Sequence, residues 1–138
     1  MVRSLASWLF TRRWLLFAAA LTIAIGLAAR AFLHAPSAKV AGVALYATLV
    51  YWLVRTVFHG ESRPNQSRAS SLAAPALVAL AISWAVEFLQ LTPIPAKLSA
   101  LHPVLRLIFG EVFSATDLIW YALGAAAGAL IELALHAA

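Results

Sequence analysis

Cysteine is absent from all 138 residues, which excludes disulfides, thiolate metal sites and cysteine nucleophiles. Charge is scarce too: 11% of residues are Asp, Glu, Lys or Arg, against 64% hydrophobic. A soluble domain has no use for that excess of apolar surface, so most of it must face lipid. Acidic residues number only 5 against 10 basic ones. The basic residues are scattered singly or in pairs beside apolar runs, which reads as membrane topology and not as a nucleic-acid footprint.

Familiar catalytic signatures are also missing. There is no Gly-x-Ser-x-Gly, no His-Glu-x-x-His and no phosphate-binding glycine loop. The four histidines, His34, His59, His102 and His136, all fall near the ends of apolar runs, so haem held between helices is not expected. Neither a metal nor another cofactor is expected, and no internal repeat is visible.

What remains is helical. Roughly 20 apolar residues cross a bilayer, and four segments qualify, near residues 14–33, 40–58, 71–91 and 115–135. The first could pass for a secretory signal, but its length fits a retained span better. Pro36, Ser37 and Lys39 predict a tight turn between the first two spans, and His59 to Arg68 a solvated loop between the second and third. Over residues 93–111, Leu98, Leu101, Leu105 and Ile108 recur at helical spacing, with Ser99, His102 and Arg106 on another face. Pro103 suits a helix start and Gly110 a helix end. The expected fold is all-α: an integral membrane four-helix bundle with a short interfacial or re-entrant helix between helices three and four. Arg3, Arg12, Arg13, Arg55, Arg63 and Arg68 all fall at one face, which the positive-inside rule makes cytoplasmic, with both termini there.

The same threading gathers polar residues at the opposite face. A charge at the centre of a span costs about 2.5–3.5 kcal/mol on insertion scales, so intramembrane ionisable residues are informative. Arg30 ends the first span, Glu87 and Gln90 end the third, and Asp117 starts the fourth. His102 and Arg106 belong to the connector on that side. Ser83, Glu87 and Gln90 form one polar stripe, and Tyr121 lies one turn beyond Asp117. Glu87 and Asp117 are the candidates for proton exchange or catalysis; Arg30, Gln90, His102, Arg106 and Tyr121 are the candidates for ligand binding. Each has a structural alternative. Ser114-Ala115-Thr116-Asp117 has capping-box spacing, and Glu87 could sit in a salt bridge to Arg30 or Arg106. Gly124 and Gly128 offer a small-residue surface for helix packing, a membrane-protein partner or a second copy.

The order Glu87-Phe88-Leu89-Gln90, then Arg106, then Asp117 with Tyr121, Gly124 and Gly128, resembles VanZ-like bacterial membrane proteins. It resembles more closely a family of small bacterial integral membrane proteins known only as a domain of unknown function, in which an arginine like Arg30 ends the first helix. Where the VanZ-like pattern usually has asparagine, this chain has Tyr121. The resemblance implies a multi-pass protein of the bacterial cytoplasmic membrane and supplies no reaction. Three functions are compatible with these residues: a site for an anionic lipid or lipid-linked head group, a structural or accessory subunit with a buried charge network, and proton-coupled transport through Glu87. The last ranks lowest, because four short helices leave little room for transporter repeats.

Overall fold

The computed structural model describes the backbone of residues 5–58, 67–110 and 112–137 and the side chains of 12–58, 67–110 and 112–136. These residues form six helices and no strand: α1 (Leu5–Phe32), α2 (Ala35–Val57), α3 (Arg68–Leu89), α4 (Ile94–Leu101), α5 (Pro103–Phe109) and α6 (Asp117–Ala137). Four of them, α1, α2, α3 and α6, are long and apolar enough to cross a membrane. The loop expected from His59 onward lies, as far as Gln66, outside the described residues.

The helix ends follow from local chemistry. Only Leu33 and His34 separate α1 from α2, a tighter hairpin than the turn expected at Pro36, Ser37 and Lys39. Those three residues belong to the first turns of α2, where proline is tolerated because its missing N–H has no helical acceptor to serve. Ser67 caps α3, its hydroxyl accepting the Ser70 N–H at 3.2 Å. At the far end of α3 the backbone N–H groups of Gln90, Leu91 and Thr92 donate to carbonyls three residues back, tightening the last turn.

The connector differs from the single short helix expected of it. It is two helices broken at His102, which is extended (φ −159°, ψ 138°). Pro103 opens α5 and disfavours the helical region for the residue before it, which accounts for the break. Gly110 closes α5 at φ 63°, a left-handed conformation open to glycine at little cost. Of the three polar residues expected on one face, Ser99 is buried and donates to the Gly110 carbonyl at 2.9 Å, whereas His102 and Arg106 are exposed, and Leu101 is 75% exposed.

Packing is organised around α2, which touches α1, α3 and α6, whereas α1 rests mainly on α2. Leu15, Ala18 and Ala19 of α1 meet Val50, Tyr51 and Val54 of α2 and Ala79 of α3 in one cluster, and Ala47, Tyr121 and Ala125 form another. Within each span only 22–33% of the most apolar stretch is buried by the chain itself. Phe17, Leu77, Ile119 and Leu130 point outward, as side chains bathed in acyl chains do.

The tightest contact joins α2 to α6. Gly124 lies directly against the Ala44 backbone carbonyl, and a Cβ at Gly128 would come within 2.6 Å of the Tyr51 ring. The Thr48 hydroxyl donates across this seam to the Gly124 carbonyl at 2.8 Å. The small-residue surface is therefore filled by the chain's own α2, and a partner helix or second copy would need another face. Gly124→Ala drives a Cβ into the Ala44 backbone and is expected to cost about 1–3 kcal/mol. Gly42→Ala, with nothing within 4 Å of its Cβ, is expected to leave stability unchanged or slightly raised. Thermal melting of both variants in detergent checks the contrast.

Candidate functional site

The C-terminal ends of α1 and α3, the N-terminal ends of α2 and α6, and the connector enclose one end of a cavity of about 830 Å³. Arg30, Glu87, Gln90, Arg106, Asp117 and Tyr121, singled out above from scattered stretches of sequence, all line it. His102 does not. It spends its ring on the backbone instead, Nδ1 accepting the Val104 N–H at 3.1 Å as the cap of α5.

Each acid has a defined setting. Glu87 is 1% exposed. One carboxylate oxygen accepts the Ser114 backbone N–H at 2.6 Å and the other accepts the Tyr121 hydroxyl at 3.0 Å. These two bonds tie α3 to the start of α6, and the alternative of a salt bridge from Glu87 to Arg30 or Arg106 is not formed: the ion pairs among the described residues are Lys39–Asp117 and Arg55–Glu132. Asp117 pairs with Lys39 of α2, Nζ to Oδ1 at 3.1 Å. The capping-box geometry is not formed, because the Asp117 N–H donates to the Ser114 carbonyl and not to its hydroxyl. With its carboxylate directed to Lys39, Asp117 bridges helices, while still placing negative charge at the positive end of the α6 dipole.

Gln90 is divided. Its Nε2 donates to the Phe109 carbonyl at 2.8 Å, which holds the connector over the cavity, and the Gly110 backbone sits so close that a Cβ there would reach within 2.6 Å of that nitrogen. Its Oε1 is buried and has no hydrogen-bond partner among the described residues, a state that costs roughly 1–3 kcal/mol when no donor completes it. Tyr46 of α2 meets Tyr121 edge-on at 6.0 Å and also lines the cavity.

The remaining walls run toward the middle of the bundle and are apolar, with Ile23, Leu27, Leu45 and Leu49 among them. Leu49 lies ten residues along α2 from Lys39, about 15 Å of helix. Three cationic side chains (Arg30, Lys39, Arg106) and two carboxylates (Glu87, Asp117) thus crown a hydrophobic pocket. No group of three or more His, Cys, Asp or Glu residues among those described is placed to hold a metal ion.

A family model described as a protein of unknown function, DUF2809, matches residues 32–125. The chain belongs to the DUF2809 family. The DUF2809 match begins where α1 ends and stops within α6, so it takes in Lys39, Glu87, Gln90, Arg106, Asp117 and Tyr121 and leaves out Arg30. No curated protein and no solved structure matches the chain.

Two groups important to this DUF2809 chain were not anticipated as part of any site. Lys39 was read as a turn residue. Glu132, 2% exposed, was passed over within an apolar run. At the opposite end of the bundle Glu132 receives Arg55 through both Nε and Nη2, at 2.8 and 2.5 Å, and the Tyr51 hydroxyl at 2.7 Å. A lone acid flanked by Leu, Ile and Ala was the available signal, since such a residue needs a partner.

Two substitutions follow from this geometry. Arg55→Ala strands a buried carboxylate and is expected to cost about 3–5 kcal/mol, the larger loss. Glu87→Gln sets an amide NH2 against one of two donors and is expected to cost about 1–3 kcal/mol. Detergent melting of both proteins measures the order.

Proposed function

We propose that this protein binds an anionic amphiphile, a lipid or lipid-linked molecule whose head group sits at the connector end and whose hydrocarbon lies along the apolar walls. The observation that carries this reading is the cavity itself, with cationic and hydrogen-bonding side chains at its mouth and aliphatic ones below. Arg30 has no carboxylate partner among the described residues and supplies positive charge for an anion, and Arg106 stands on the same rim. A guanidinium presents paired N–H donors suited to phosphate or carboxylate oxygens. Because α1 rests mainly on α2, the cavity lies between α1 and the other spans, an arrangement suited to entry from within the bilayer.

Sidedness follows from the arginines. Arg12, Arg13, Arg55 and Arg68 lie at the end opposite the cavity, and the positive-inside rule assigns that end and both termini to the cytoplasm. The site then opens to the outer leaflet. Both carboxylates are already engaged, Asp117 by Lys39 and Glu87 by Ser114 and Tyr121, which favours a role in orienting the head group over proton transfer.

A second reading, a structural or accessory membrane subunit, is favoured by the two interhelical ion pairs, Lys39–Asp117 and Arg55–Glu132. The readings differ in what Arg30 does. On the binding reading, native mass spectrometry with mixed lipids shows anionic lipid retained by the parent, and the retained fraction falls about tenfold or more for Arg30→Ala with Arg106→Ala, as loss of charge-assisted hydrogen bonds entails. Equal retention by parent and double variant would leave the subunit reading in possession of the charges.

A further inference from the structure

Most of the residues that line the cavity belong to the α1–α2 hairpin, and the hairpin sets depth on both of its arms. Arg30 stands two residues before the end of α1 and Lys39 four residues beyond the start of α2, about 3 and 6 Å of helix from the turn. Packed helices lie about 8–10 Å apart, so the two cations start from neighbouring helices at nearly one depth. Both line the cavity and both are exposed. Arg30 has no carboxylate partner among the described residues. Lys39 meets Asp117 through one oxygen at 3.1 Å while its side chain stays 55% exposed. An ammonium carries three N–H donors, so Lys39 can serve an occupant without leaving Asp117.

Below this pair the wall is hollow. Gly26 lies one turn deeper than Arg30 on the same face of α1, and Gly42 stands in the same relation to Lys39 on α2. They are six residues from Phe32 and seven from Ala35, about 9 and 10 Å from the turn, and both line the cavity. Glycine inside a helix is destabilising relative to alanine. At Gly124 and Gly128 the close approach of α2 offsets that, whereas a Cβ at Gly42 would meet nothing within 4 Å and one at Gly26 only the tip of Leu45 at 3.9 Å. Among the described residues nothing fills this space, and beneath it the wall continues through Ile23, Leu45 and Leu49.

Resting on the anionic-amphiphile reading, we infer that the ligand is a phosphate-headed lipid anchored on the α1–α2 hairpin, with its phosphate between Arg30 and Lys39 and the start of one acyl chain in the hollow at Gly26 and Gly42. The two cations act differently on that phosphate. A guanidinium meets its oxygens with paired N–H donors, and an ammonium meets them as a point charge. Asp117 is the positioning residue that holds the Lys39 ammonium at the rim. The glycines open the passage by which the chain runs from the head-group level to the aliphatic wall.

The test is native mass spectrometry of the full chain with equal amounts of phosphatidylglycerol and phosphatidylcholine carrying the same acyl chains. The parent is expected to favour phosphatidylglycerol. Gly42→Leu fills the hollow and leaves every charge in place; it is expected to lower phosphatidylglycerol retention about tenfold, with detergent melting no lower than the parent's. Ala28→Leu, exposed on α1 outside the cavity, controls for added bulk and is expected to match the parent. Lys39→Gln is expected to reduce the ratio of phosphatidylglycerol to phosphatidylcholine about threefold or more, and Lys39→Arg to restore it. A merely structural Lys39 would lower both lipids together. Undiminished phosphatidylglycerol retention by Gly42→Leu overturns the inference, as does an equal loss in Ala28→Leu or a ratio unmoved by Lys39→Gln. In each of these cases a loss in the Arg30→Ala, Arg106→Ala double variant leaves the anion reading standing. A parent that does not favour phosphatidylglycerol removes reading and inference together. If Gly42→Leu melts below the parent, Gly26→Leu on the other arm carries the same comparison.

Discussion

The register of α2 against α6 is the constraint from which the rest of this structure follows. The two helices run parallel, and their contact is pinned at both ends by ion pairs, Lys39–Asp117 and Arg55–Glu132. The anchors are 16 positions apart on α2 and 15 apart on α6, about 24 and 22 Å of helix, so both pairs close without bending either partner. Glycines at 124 and 128 let the axes approach in the middle, where the Thr48 hydroxyl crosses to a backbone carbonyl. Inside a membrane no hydrophobic force draws apolar helices together, and close backbone contact with polar links is what holds them.

The cavity is a consequence of that seam. With α6 committed to one flank of α2 and α3 closing over both, α1 has only the remaining flank of α2 to rest on. The space between α1 and the other spans is left open along its length and is roofed at one end by α5, whose position depends on the Gln90 bond to Phe109 and on the positive φ of Gly110. Changing Gly110 to any larger residue would disturb both at once, through backbone strain and through collision with Gln90.

Much of this was legible in the sequence, for physical reasons that can be named. Span length is set by bilayer thickness, so four apolar runs give four spans, and an even number of crossings brings Arg30, Glu87, Gln90 and Asp117 to one face whatever the helices do sideways. Depth is a one-dimensional property that a sequence carries directly. Which helix stands beside which is not. Glu87 was matched to an arginine at its own depth, but its donors are a backbone N–H and a phenol on α6. Lys39 was hidden by Pro36, because a proline that suits a turn suits the first turn of a helix equally well. The glycines of α6 announced a close approach, yet nothing in a small-residue stripe says whether the approaching helix belongs to the same chain. His102 shared a face with Arg106 on a continuous helix, and the break before Pro103 removed that shared face.

The two ends of the bundle also show how differently this chain treats charge. At the end opposite the cavity, Glu132 receives three hydrogen bonds from Arg55 and one from Tyr51, and neither member of the ion pair lines the cavity described above. This ion pair is sealed within the seam, as a structural network must be to offset the cost of its burial. At the connector end the pairing stops short of that closure. Lys39 answers Asp117 but its side chain remains 55% exposed, and among the described residues Arg30 has no carboxylate at hand and the Gln90 oxygen no donor. The proposed amphiphile fits that contrast: its head group would meet the cations at the connector end, and the cavity beneath is apolar where a hydrocarbon tail would lie.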